Sequence, residues 1–123
     1  MEKVICVLVL YNPKVDLLVK VVSAILPQVD LLWISDNSVE PLNLSSILET
    51  SSKIVYKKMP GNIGIAAAQN YGINYAVEHN YNYLFYLDQD SIVSEDIISK
   101  LLSQYRFFTL KFHYCWCCWT TGF

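Results

Sequence analysis

Tyr83-Leu84-Phe85-Tyr86-Leu87-Asp88-Gln89-Asp90-Ser91 decides how this chain is read. Five apolar or aromatic residues suit a strand, and the acidic turn marks its carboxyl end. In extended backbone, residues two apart project to the same side, so the carboxylates of Asp88 and Asp90 can converge on one point. Open α/β sheets bind ligands outside the carboxyl ends of their strands. A divalent cation on a diphosphate needs only one or two protein carboxylates, the phosphates and water supplying the rest. An acidic strand-to-helix turn that only caps backbone uses the same residue types, so the pair alone leaves both readings open.

Upstream, strand-like and helix-like stretches alternate. Val4 to Leu10 is a continuous apolar run ending at Tyr11-Asn12-Pro13, as in a strand buried on both faces. Asp16 to Leu26 carries Leu17, Leu18, Val21, Val22 and Ile25 at helical spacing and stops at Pro27. Leu31 to Ser35 predicts a second strand, Leu44 to Leu48 a short helix and Lys53 to Lys57 a third strand. The turn cluster Pro60-Gly61-Asn62-Ile63-Gly64 leads into an alanine-rich helix, Ile65 to His79. After the acidic turn, Ser94 is placed to cap a helix with Glu95 and Asp96 in its first turn and Ile97, Ile98, Leu101 and Leu102 as its buried face. This rhythm predicts an α/β fold with a mostly parallel sheet.

Two further features sit at predicted turns. Asp36, in Ser35-Asp36-Asn37-Ser38, ends the second strand, where a carboxylate can accept from a nucleobase imide or a ribose hydroxyl; Asp-Asn-Ser is also ordinary turn chemistry. Gly61-Asn62-Ile63-Gly64 is neither a dinucleotide fingerprint nor a P-loop, because its glycine spacing differs and no Gly-Lys-Ser/Thr follows. The small residues after it allow a helix to lie close to a sheet or a flat ligand, with Asn70 as a polar contact.

Bulk properties narrow the classes. The chain has 123 residues, 54% hydrophobic and 16% charged, with a net charge of −2. One core fits this length, and no basic cluster points to nucleic acid. No apolar run reaches the roughly 20 residues that span a bilayer. Val4 to Leu10 is short for a signal peptide, and Glu2 stands where positive charge belongs. The expectation is a cytoplasmic chain, with Cys6 a small buried hydrophobe.

Residues 106–123 are out of character, holding three of the four cysteines and two of the three tryptophans. His113, Cys115, Cys117 and Cys118 lack the paired C-x-x-C spacing of structural zinc sites. Read one base forward, the codons of Tyr114 to Thr120 give Ile/Thr, Ala/Val, Gly, Ala/Val, Ala/Val and Gly. That is an apolar strand closing on a glycine turn, where the rhythm calls for the next strand. The expectation is that residues 1–105 form the domain and that 106–123 are an out-of-frame tail.

In this order, the stretches from Val7 to Pro13, Ser35 to Ser38, Gly61 to Gly72 and Leu87 to Ser91 resemble the inverting glycosyltransferases of the GT-A fold, which is Rossmann-like. Tyr-Asn-Pro and Asp-Gln-Asp-Ser look most like the rhamnosyltransferase branch, which transfers L-rhamnose from dTDP-L-rhamnose to a surface polysaccharide. The resemblance implies that Tyr11 and Asp36 line the base and ribose pocket and that Asn70 lies beside the nucleotide. It implies that Asp88 approaches the ribose or a metal-bound water, and that Asp90 ligates Mg²⁺ or Mn²⁺. Its implied partners are a nucleotide sugar, with a UDP-sugar as the second candidate donor, and a glycan or lipid-linked acceptor at the inner face of the cell membrane.

The family's acceptor-activating base lies well downstream of the Asp-x-Asp, and no residue after Asp90 takes that role here. The resemblance covers residues 4 to about 105. The expectation is an N-terminal part of such an enzyme, inactive by itself; the alternative is a nucleotide-binding remnant. A sugar-1-phosphate nucleotidylyltransferase would place a glycine-rich, arginine-containing loop where Tyr11-Asn12-Pro13 stands. A flavodoxin-like receiver would place acidic residues there.

Overall fold

The computed structural model describes residues 2–40 and 42–111, with side chains up to residue 105. Four strands, β1 (Val4–Leu10), β2 (Leu31–Asp36), β3 (Ile54–Lys58) and β4 (Tyr83–Leu87), form one sheet in the order β3-β2-β1-β4. All three pairings are parallel, as the alternating pattern and the GT-A resemblance implied. The helices are α1 (Val15–Ile25), the short α2 (Ser45–Leu48), α3 (Ile65–Glu78) and α4 (Ile97–Lys111).

β1 is central, and all but one of its residues are buried. Its apolar run has no polar alternation because both faces are covered. Connections β1 to β2 and β3 to β4 move in opposite directions across the sheet, so right-handed crossovers put α1 and α3 on opposite faces. α1 buries Leu18, Val21, Val22 and Ile25, one stripe of a 3.6-residue repeat. Each such side chain removed from water contributes about 1.5–3 kcal/mol.

α3 lies against β1 and β2. It meets them through Ala68, Gly72 and Ala76, one small residue every four. A methyl group at Gly72 would stand 2.7 and 2.9 Å from the Val7 methyls and 3.0 Å from the Trp33 ring. The indole of Trp33 donates to Ser35 Oγ at 2.8 Å, and that hydroxyl donates to the Ala68 carbonyl at 2.8 Å. The buried polar groups under the helix are thereby satisfied, which avoids a desolvation cost.

Element boundaries differ from expectation by a residue or so. α1 ends at Ile25, just before Pro27 as expected, and the chain tightens into a 3₁₀ turn, Leu26–Gln28, with the proline in its first turn, where no N–H is needed. Ser94 onward forms a separate unit. There α4 starts at Ile97; the Ser94 hydroxyl donates to Asp96 Oδ1 at 3.1 Å, and Asp96 pairs with Lys100 at 3.3 Å. The α4 backbone runs to Lys111. The zinc-type spacing and the shifted frame concern residues 113–120, which lie outside the described residues.

Candidate functional site

Parallel strands direct all four carboxyl ends to one edge. There the chain runs from β1 to β2 on one side while β4 pairs on the other side of β1, so the strand order reverses at β1. Such a switch point opens a crevice between strand ends. Leu10 pairs with Asp36 and Leu8 with Leu87. Tyr11, Asp36, Asp88 and Asp90 therefore all stand at the carboxyl edge, as the sequence predicts.

Their surroundings differ. Asp36 is only 1% exposed. Its Oδ1 accepts from the Ser38 N–H at 2.9 Å, and its Oδ2 accepts from the Tyr56 hydroxyl at 2.5 Å. Burial, then the hydrogen bond to Asp36 and that residue's charge, push the Tyr56 hydroxyl well above its usual pKa. Lys58 donates to the Ser38 carbonyl. Asp36 is thus engaged from within the protein, and its carboxylate anchors the turn that follows β2.

That turn is tied to its neighbours. Asn12, with a φ of 44°, donates its N–H to Ser38 Oγ at 2.9 Å, and the Val39 N–H donates to Asn12 Oδ1 at 3.1 Å. A left-handed conformation suits asparagine better than most residues. The buried Asn37 donates to the Gly64 carbonyl at 3.0 Å, fixing the loop that enters α3. Gly64 has a φ of 88°, which a side chain would strain.

Asp88 and Asp90 are exposed, and among the described residues neither carboxylate has a hydrogen-bond or ion-pair partner. Between them, Gln89 turns to β1. The Tyr11 N–H donates to Gln89 Oε1 at 2.8 Å, and Gln89 Nε2 donates to the Tyr11 carbonyl at 3.1 Å. The Tyr11 side chain is 48% exposed. Asn70 is exposed in the second turn of α3.

Two open carboxylates offer hard oxygen donors, which fit Mg²⁺ or Mn²⁺ when phosphate oxygens complete the shell. Among the described residues no group of three or more metal-ligating side chains forms a cage. The donor set thus fits a cation brought in with a diphosphate rather than one held by protein alone. Gln89, Asn37 and Tyr56 were not singled out from sequence. In sequence Gln89 carries only the Asp-Gln-Asp-Ser resemblance, Asn37 has ordinary turn chemistry, and the role of Tyr56 depends on β3 lying beside β2.

Residues 4–111 match the model of the family described as "Glycosyltransferase like family 2". Over 100 residues the chain is 31% identical to a protein of Shigella flexneri named dTDP-rhamnosyl transferase RfbF, covering 81% of this chain and 33% of that protein. The chain spans about a third of the length of that relative.

Proposed function

The chain belongs to the glycosyltransferase family 2-like proteins, and on that premise we propose that its carboxyl edge binds a nucleotide sugar for glycosyl transfer. The observation that carries this reading is the open pair Asp88 and Asp90 at the switch point, level with Tyr11. dTDP-L-rhamnose is the favoured donor, on the printed name of the relative, with a UDP-sugar as the alternative. The acceptor is a glycan or a lipid-linked saccharide at the cytoplasmic face of the membrane, and transfer inverts the anomeric centre.

The exposed Tyr11 ring offers a face to the base, and Asn70 offers an amide to the nucleotide. Asp36, fixed by Tyr56 and Ser38, shapes the base and ribose side of the crevice. Asp90 would hold Mg²⁺ or Mn²⁺ beside the diphosphate, and Asp88 would reach the ribose or a metal-bound water. When bound, the cation offsets negative charge on the departing nucleoside diphosphate.

The experiment mixes radiolabelled dTDP-L-rhamnose or UDP-glucose, Mn²⁺ and a lipid-linked acceptor with the 123-residue chain, and measures dTDP binding alongside. Mn²⁺-dependent binding of dTDP that Asp90→Asn removes supports the site. Binding without turnover favours a nucleotide-binding chain over a complete transferase. No binding of any nucleoside diphosphate would sink the reading.

A further inference from the structure

The β1–β4 ladder stops at Leu8 and Leu87. Tyr11 lies three residues further along, beyond any strand residue of β4, yet both of its backbone groups are satisfied on that side. The Gln89 side chain does this, accepting from the Tyr11 N–H at 2.8 Å and donating to the Tyr11 carbonyl at 3.1 Å. In a parallel ladder those two groups would bond to two different peptide units of the neighbouring strand. Here one primary amide replaces both. The partners also fix its orientation, because an N–H can only donate and a carbonyl can only accept.

We infer that Gln89 is a positioning residue that couples Tyr11 to the acidic turn, so that a cation–diphosphate held by Asp88 and Asp90 and a base held at Tyr11 are bound as one unit. This rests on the nucleotide-sugar reading above. Asp88 and Asp90 flank Gln89 in sequence, and fixing the middle residue restricts both neighbours. No other side chain of similar size serves equally well. Glutamate lacks the donor and sets a carboxylate against the Tyr11 carbonyl, methionine lacks both polar groups, and asparagine is one methylene short. By linkage, whatever factor the Gln89–Tyr11 contact contributes to ligand affinity, bound ligand returns to that contact.

The test uses the full chain in two measurements. Mn²⁺ is titrated with and without dTDP, free Mn²⁺ is read by electron paramagnetic resonance, and wild type is compared with Gln89→Met. Outer partners that orient metal ligands are worth about 10- to 100-fold in affinity. The expected result is a loss of that size in dTDP-dependent Mn²⁺ binding by Q89M, at a temperature where near-ultraviolet circular dichroism shows it folded. A residue with only a structural role would lower the melting temperature and leave that affinity unchanged, which overturns the inference. Where Q89M does not fold, amide exchange of wild type decides. Exchange at Tyr11 should slow about 5- to 100-fold when Mn²⁺ and dTDP are added together, and an unchanged rate overturns the inference. Wild type that binds no Mn²⁺ with dTDP overturns the nucleotide-sugar reading and this inference together. Wild type that binds while Q89M binds equally well overturns the inference alone.

Discussion

The Tyr56 hydroxyl of β3 donates to Asp36 Oδ2 of β2 at 2.5 Å, across a diagonal of the parallel pair in which Tyr56 lies opposite Ile34. Tyr56→Phe leaves one oxygen of a buried carboxylate without its protein donor, a loss of about 1–3 kcal/mol. Urea unfolding near neutral pH measures it directly.

The same pair sets an alkaline limit. Burial, followed by the hydrogen bond to Asp36 and its charge, raises the Tyr56 pKa in the folded chain, while an unfolded tyrosine ionises near about 10. Below that value both states hold the proton and the contribution to stability is fully present. Above it the unfolded state releases the proton first, so stability falls as pH rises toward the folded pKa. Urea midpoints taken in steps above about pH 9 should decline in wild type, and less steeply in Tyr56→Phe.

Gly72→Ala should destabilise the domain. Alanine favours helix by about 1 kcal/mol, but its methyl would meet the branched Val7 side chain at 2.7 and 2.9 Å. Overpacking of this kind costs about 1–3 kcal/mol, and neither a valine on a central strand nor a buried indole has room to retreat. Thermal unfolding should show a net loss. Combining Gly72→Ala with Val7→Ala should recover part of it, because the two sites are in contact.

Cys6 should resist alkylation. It is fully buried, and burial pushes its thiol pKa up to about 12, so the reactive thiolate is scarce at neutral pH. Peptide mapping after a brief iodoacetamide pulse should find Cys6 unmodified in the folded chain and modified in urea.

Asp88→Asn and Asp90→Asn should separate binding from folding. Both residues are exposed, so each change should stay within about 0.5 kcal/mol of wild-type stability. Mn²⁺-dependent dTDP binding should fall in both, and more in Asp90→Asn. Calorimetric titration alongside thermal melts checks the two together.

The central strand was legible because burial on two faces erases polar alternation, as in Val4 to Leu10; Tyr83 to Leu87 was legible from its aromatic and apolar residues although only Tyr83 is buried there. The end of α1 was legible from Pro27, but the 3₁₀ turn that carries the proline was not. At the site, the carboxyl-edge position of Asp88 and Asp90 could be read from the end of Tyr83–Leu87. The rule that residues two apart share a side does not carry over, because Asp88 to Ser91 is a turn in which the Ser91 N–H donates to the Asp88 carbonyl at 3.2 Å. The engagement of Asp36 by Tyr56 could not be read, because that contact depends on which strands are neighbours, a property absent from any single stretch of sequence. The Gln89 bond to Tyr11 joins residues 78 positions apart. Nothing local to Asp-Gln-Asp distinguishes an amide that faces solvent from one that completes a ladder.

The strand order also fixes what a growing polypeptide has in hand as it emerges. β1, β2 and β3 are complete once Lys58 has been made, yet β1 keeps one bare edge until Tyr83–Leu87 follows it. An apolar strand with free backbone donors invites pairing with other chains, and late, distant partners lengthen the interval of risk. The docking of β4 covers the central strand, moving the bare edge to β4, and in the same movement brings the acidic turn beside Tyr11. During synthesis, then, the carboxyl-edge crevice and the cover of β1 arrive together, and a chain arrested between Lys58 and Tyr83 has neither.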